Sequence, residues 1–238
     1  MEYIVIPERT WKYDVSHYDF SSVILSAFQD ASSLDSLHKI VPKSHELNEL
    51  VGVNDDNRTW LHSRFYDKLN AGWPELISLY DEFIHSVVKK SIKEDDFLRN
   101  HSNAYAYQRF PTFRVQVPGN LSVGEFHKDS DYNHPAGEIN FVVPLTDAND
   151  TASIWCESSP SQGDFHPLKM KVGNLIMFDG NMCNHGNKVN TMNYCRVSFD
   201  FRLLPIKYHK SEYSLSSVDL DKKFVIGDYY SDKVLKIS

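Results

Sequence analysis

The sequence predicts a mainly β fold: a double-sheet jelly roll preceded by a helical N-terminal region. Up to about residue 103, apolar residues recur at helical spacing. From Tyr105 onward, about eight short β-rich runs are separated by turn residues such as Gly, Pro and Asn. Many short strands within about a hundred residues favour two packed sheets. With 238 residues, 41% of them hydrophobic, the chain can bury one sizeable core.

The N-terminal helices are predicted from apolar stripes over residues 19–28, 60–69 and 73–90. Pro74 is expected at the first position of the third helix, followed by the acid Glu75 in its first turn. Lys89 and Lys90 are expected at its end, where cations are favourable. These helices are predicted to pack against the outside of a sheet.

The strands predicted after this region all lie between Tyr105 and Leu204. They are Tyr105–Phe110, Phe113–Val117, Ile139–Pro144, Ala152–Glu157, Leu168–Val172, Leu175–Phe178, Gly186–Val189 and Cys195–Leu204. We therefore expect a single domain in three parts: a helical region over 1–103, a β core over 104–205 and an extension over 206–238. The extension is polar except for Phe224, Val225 and Ile226, so it could cover a site or cap the sheet.

Composition argues against several classes of protein. The formal charge of −7 is spread along the chain, so neither nucleic acid nor an anionic membrane is an expected partner. No apolar run approaches the ~20 residues that span a bilayer. The first residues lack the features of a signal peptide, and three cysteines fit a reducing compartment, so a cytoplasmic protein is expected. The oligomeric state is not indicated.

His127, Asp129 and His185 are the candidate metal ligands. His127 and Asp129 are two residues apart, so their side chains share one face of an extended segment. His185 is far enough along the chain to come from another strand. Two imidazoles and one carboxylate make the facial triad that holds non-haem Fe(II). An open zinc site uses the same ligands, so zinc is the rival metal.

Arg196 and Ser198 are a candidate carboxylate clamp. They are also two residues apart in a predicted strand, and a guanidinium with a neighbouring hydroxyl suits a carboxylate ligand. Zinc chemistry gives no reason for this pair, so iron is preferred.

The order and spacing of these five residues resemble the Fe(II)/2-oxoglutarate-dependent oxygenases, whose pattern is H-x-D, a distal His and then R-x-S. The similarity runs from about Tyr105 to Pro205, and the stretches 126–131, 138–146 and 196–202 are similar to the streptomycin-biosynthesis StrG-like branch. The resemblance implies a double-stranded β-helix (a cupin-like jelly roll). It also implies Fe(II), 2-oxoglutarate as cosubstrate and O₂, with release of succinate and CO₂.

In this family, 2-oxoglutarate binds the metal through its keto oxygen and C1 carboxylate, which places Arg196 and Ser198 at the far carboxylate. The carboxylate ligand Asp129 favours hydroxylation, since halogenating relatives have a small residue there. Asn140 is expected to hydrogen-bond 2-oxoglutarate or substrate, or to be an ordinary polar strand residue. The expected substrate is a small polar metabolite of the amino acid, sugar or aminocyclitol type.

Three further residues are candidate substrate contacts. Arg114 lies in a strand leading to the metal loop, and Trp155 and Glu157 are two residues apart and are expected to share one face of a strand. Each could equally serve the core or the sheet. Two other functions stay open: a metal-dependent cupin-like isomerase or lyase, and a non-catalytic small-molecule-binding jelly roll.

Overall fold

The computed structural model describes residues 5–45, 59–121, 125–213, 215–217 and 222–237. Its α-helices all precede the β core. They are α1 (Phe20–Leu25), α2 (Trp60–Asn70), α3 (Pro74–Phe83), α4 (Lys89–Glu94) and α5 (Asp96–His101). Short 3₁₀ turns lie at Leu34–Ile40, Asp129–Tyr132, Asp150–Ala152 and Ile206–Tyr208.

Side-chain caps define where the helices begin. Asp19 accepts a hydrogen bond from the backbone of the first turn of α1, and Thr59 does the same for α2. Pro74 opens α3 as predicted. The expected end at Lys89 and Lys90 is wrong, because a π turn over Ile84–Val88 joins α3 to α4 and the helical path continues to Glu94.

Ten strands are described. They are β1 (Arg9–Lys12), β2 (Ala104–Gln108), β3 (Thr112–Gln116), β4 (Ile139–Pro144), β5 (Ile154–Cys156), β6 (His166–Pro167), β7 (Asn174–Phe178), β8 (His185–Asn187), β9 (Arg196–Pro205) and β10 (Tyr230–Lys236). The large sheet is antiparallel, in the order β1-β7-β4-β9-β2-β10, with β3 also paired to β9. The small sheet has the order β6-β5-β8.

The two sheets share one apolar cluster. Val142 and Ile176 of the large sheet pack with Cys156 of the small sheet. This two-sheet arrangement confirms the predicted jelly roll with flanking helices.

Strand β9 shows how the fold separates core from site. Its odd positions are fully buried apolar residues: Val197, Phe199, Phe201 and Leu203. The helices pack on this side, where Phe199 lies 4.8 Å from Phe20 of α1 between ring centroids. The even positions Arg196, Ser198, Asp200 and Arg202 therefore face the space between the sheets, since side chains alternate along a strand.

Both ends of the chain join the large sheet, which the sequence did not indicate. In the N-terminal region, β1 pairs with β7 at one edge. In the extension, β10 pairs with β2 at the other edge, so the extension caps the sheet. The strand predicted at Leu168–Val172 is absent, and the chain instead forms β6 at His166–Pro167. None of the helices described here has both the length and the apolar character needed to cross a membrane.

Candidate metal centre

His127, Asp129 and His185 come together where the sheets meet. His127 pairs with His185 in an isolated antiparallel bridge, and Asp129 begins the 3₁₀ turn that follows. Asp129 Oδ1 lies 3.7 Å from Nε2 of each histidine. One nitrogen or oxygen atom from each residue can be chosen so that all three lie within 4.8 Å of one another. The three predicted ligands thus surround one point.

Backbone carbonyls orient both imidazoles. Nδ1 of His127 lies 2.8 Å from the carbonyl of Glu125, and Nδ1 of His185 lies 3.2 Å from that of Cys183. A carbonyl only accepts hydrogen bonds, so Nδ1 must carry the proton in each ring. Nε2 of each ring then faces Asp129 Oδ1 and is the nitrogen available to a metal.

The second oxygen of Asp129 is fully engaged by nitrogen donors. Asn140 Nδ2 donates to Oδ2 at 2.6 Å, and Nε and Nη2 of Arg202 each lie 2.9 Å from it. Burial opposes ionisation of this carboxyl, but the charge and hydrogen bond of Arg202, together with His134 and His185, outweigh it and hold the pKa of Asp129 well below its usual range. Asp129 is therefore a carboxylate with one oxygen directed at the histidines.

Burial also sets the charge of His185. It lowers the pKa of His185 to about 4, although the nearby carboxylate of Asp129 opposes the shift. The ring is neutral near pH 7, so Nε2 can bind a metal without first losing a proton. Two imidazole nitrogens and one carboxylate oxygen form a donor set that fits Fe(II).

The predicted clamp residues lie on the inward face of β9. Arg196 is almost fully buried, and its Nη1 donates to Ser198 Oγ at 3.3 Å. Its Nη2 donates to Asn187 Oδ1 at 2.8 Å. Asn187 lies two residues beyond His185 on β8, so the guanidinium is held close to the strand that carries a metal ligand.

Arg114 and Asn140 also face the space between the sheets. In the strand register, Arg114 lies opposite Ser198, and its Nε donates to Asp200 at 2.7 Å. Its side chain keeps 22% of its surface exposed and is therefore accessible to a substrate. The predicted substrate contact of Arg114 stays a prediction. The amide of Asn140 contacts the metal ligand Asp129, and the expected contact with 2-oxoglutarate or substrate stays a prediction.

The contacts of Trp155 and Glu157 give no support to the substrate contacts expected of them. Cys156, rather than Trp155, pairs with His185, so Trp155 lies on the other face of β5. Glu157 follows the end of β5 and is buried. Its carboxylate accepts hydrogen bonds from the backbone amides of Ser161, Gly163 and Asn184, which fastens a loop beside the metal centre.

A second buried polar cluster lies next to the metal loop and was not predicted. Glu138 is fully buried, and Nδ1 of His134 lies 2.6 Å from its Oε2. The hydroxyl of Tyr230, in β10, donates to Glu138 Oε1. The C-terminal strand is thereby fastened to the loop that follows Asp129. His134 and Glu138, four residues apart, were the available signal in the sequence.

Comparison with curated proteins finds a relative of similar length. The streptomycin biosynthesis protein StrG of Streptomyces griseus is 31% identical over 175 residues, which cover 74% of this chain and 77% of StrG. The chain belongs to the StrG family. The predicted resemblance to the StrG-like branch is thus confirmed. The protein-family models compared with the chain give no match.

Solved structures show the fold of this StrG-family protein. The non-haem monooxygenase ThoJ, in its apo form, superposes with a TM-score of 0.50 at 10% identity, over 87% of this chain and 76% of ThoJ. A ThoJ–Ni complex gives a TM-score of 0.49 at 8% identity, over 93% of this chain and 83% of that structure. At such low identity the likeness to apo ThoJ establishes a shared fold only.

Proposed function

We propose that this protein is an Fe(II)- and 2-oxoglutarate-dependent oxygenase that hydroxylates a small polar metabolite. One observation carries the proposal: a triad of His127, Asp129 and His185 with all three donor atoms converging, beside the buried Arg196 and Ser198 pair. A zinc hydrolase, isomerase or lyase would need the triad but not the second pair.

Residues of the chain would have separate roles in binding the metal, orienting its ligands and positioning the substrate. Nε2 of both histidines and Oδ1 of Asp129 would hold the metal, leaving its remaining positions to cosubstrate and oxygen. Iron with 2-oxoglutarate supplies the oxidising chemistry, with release of succinate and CO₂. The protein orients the ligands, limits access of water to the buried centre and holds the C–H bond to be oxidised.

Arg196 and Ser198 are suited to the distal carboxylate of 2-oxoglutarate. The guanidinium is buried and oriented by Asn187, so it is ready to form paired charge-assisted hydrogen bonds. A buried arginine of this kind attracts an anionic ligand, because an opposite charge compensates the cost of its burial.

The proposed substrate class is based on the relationship to StrG and on the net charge of the chain. StrG takes part in streptomycin biosynthesis, so a sugar or aminocyclitol is the first class to test, followed by amino acids. The net charge of −7 does not favour binding to the negatively charged backbone of a nucleic acid.

The first experiment is an anaerobic titration with Fe(II), with and without 2-oxoglutarate. We expect a weak visible charge-transfer band only when both are present, and its loss in His127→Ala. Metal binding without the band would indicate an isomerase or lyase, and no metal binding would indicate a binding protein. A panel of sugars, aminocyclitols and amino acids would then be tested for stimulated release of succinate.

A further inference from the structure

We infer that Arg202 and Asn140 are positioning residues that occupy Oδ2 of Asp129 and thereby direct Oδ1 alone to the metal. This inference rests on the proposed metal centre and adds a property of it. Asp129 would supply one ligand atom rather than two, which keeps an additional coordination position open for cosubstrate or oxygen.

The contacts around Oδ2 carry the inference. Two N–H groups donate to this one atom, one from Asn140 Nδ2 at 2.6 Å and one from Arg202 Nε at 2.9 Å, and Nη2 of Arg202 lies 2.9 Å from it in the same ion pair. A carboxylate oxygen has two lone pairs, so these donors use its capacity. Oδ1 instead faces Nε2 of the two histidines.

The support is itself rigid. Arg202 and Asn140 are directly opposite each other in the β9–β4 register, so the sheet places both donors on one side of Asp129. Asp200 fixes the other end of the guanidinium, since Arg202 Nη1 donates to its Oδ2 at 2.8 Å. All four residues are buried.

Gly180 makes room for the Asn140 amide. A Cβ atom built on Gly180 would lie 2.6 Å from Asn140 Nδ2 and 2.7 Å from Cγ, closer than real contacts allow. The carbonyl of Gly180 also accepts the backbone N–H of Asp129 at 2.9 Å. The absence of a side chain at Gly180 therefore lets the Asn140 amide reach Asp129.

The direction of the change in metal affinity distinguishes an orienting role of Arg202 from a purely electrostatic one. Arg202 is a cation beside a site for a divalent cation, so by Coulomb repulsion alone its removal should tighten metal binding. If Arg202 orients the carboxylate, its removal should weaken binding. Loss of a residue that supports a metal ligand typically weakens affinity by about 10–100-fold.

The test is a Co(II) titration of the full chain without 2-oxoglutarate or substrate, followed by visible absorption, which reports both affinity and coordination geometry. For Arg202→Met we expect Co(II) affinity about 10–100-fold weaker than the parent and an altered spectrum. Arg114→Met is the matched control, because Arg114 also pairs with Asp200 but no contact with Asp129 is described. It should keep the parental Co(II) affinity. Equal or tighter binding by a folded Arg202→Met would overturn the inference.

A double-mutant cycle of Asn140→Ala and Gly180→Ala tests the orientation of Asp129 even if Arg202→Met fails to fold. We expect Asn140→Ala and Gly180→Ala each to weaken Co(II) binding, and Gly180→Ala to add nothing in the Asn140→Ala background. Independent, additive losses would refute the role given to Asn140. A parent that binds no Co(II), or binds it equally well as His127→Ala, would instead contradict the metal centre itself.

Discussion

Arg196 and Ser198 are hydrogen-bonded to each other on the inward face of β9, with Arg196 Nη1 donating to Ser198 Oγ at 3.3 Å. Asn187 holds the other arm of the guanidinium. The arginine is thus oriented before any ligand binds, which lowers the entropy lost on binding a carboxylate.

Arg196→Ala is expected to raise the KM for 2-oxoglutarate by well over tenfold, because losing one partner of a buried charge pair costs about 2–5 kcal/mol. Arg196→Lys should also bind 2-oxoglutarate more weakly, since the ammonium group of lysine does not offer the paired, planar donors of a guanidinium. The measurement is succinate formation against 2-oxoglutarate concentration. An unchanged KM in Arg196→Ala would exclude the clamp.

Asp129→Ala is expected to abolish both metal binding and hydroxylation. It should also destabilise the metal-free protein by about 3–5 kcal/mol, because Arg202 loses a buried ionic partner. His127→Ala is the matched control: its side chain is 25% exposed, so it should lose metal with a smaller loss of stability. Urea unfolding in chelator separates the two effects. Full turnover by Asp129→Ala would refute the ligand assignment.

Glu157→Ala is expected to lower the free energy of unfolding by about 1–3 kcal/mol, because three backbone amides lose their acceptor. Glu157→Gln should recover part of this loss. Urea unfolding gives the stability, and the ratio of succinate to hydroxylated product gives the coupling. A changed ratio in Glu157→Gln at parental stability would instead support the substrate contact expected from the sequence.

Tyr230→Phe is expected to destabilise the protein by about 1–3 kcal/mol, since the buried carboxylate of Glu138 loses a donor. Tyr132→Phe is a suitable control, because Tyr132 is 41% exposed. Chemical unfolding measures both. Equal stability of the two variants would show that the hydrogen bond to β10 adds nothing to the fold.

Asp200 should contribute to acid sensitivity. Its burial opposes ionisation, but Arg114 and Arg202 outweigh it and lower the pKa of Asp200. The unfolded state then binds more protons in the acid range, so this stabilisation is present above the usual aspartate pKa near 3.8 and is lost as pH falls below it. Asp200→Asn should flatten that part of the profile of unfolding free energy against pH. Parallel profiles for parent and Asp200→Asn would contradict this linkage.

The sequence could predict features that depend on local periodicity. His127 with Asp129, and Arg196 with Ser198, are separated by two residues, and the pleat of an extended chain places each pair on one face. The substrate contact predicted for Glu157 stays a prediction, because β5 ends at Cys156 and the alternation of a strand does not extend to Glu157. The Glu157 carboxylate accepts hydrogen bonds from the backbone amides of Ser161, Gly163 and Asn184.

Tertiary structure decided every contact between residues distant in the chain. Arg202 and Asn140 lie in separate strands, and only the β9–β4 register brings both to Oδ2 of Asp129. The pairing of β1 with β7 and of β10 with β2 was equally unpredictable from the sequence, because each pair joins segments that are distant in the chain. The residues that can bind a metal were therefore readable from spacing, whereas the residues that hold them in place were set by long-range packing.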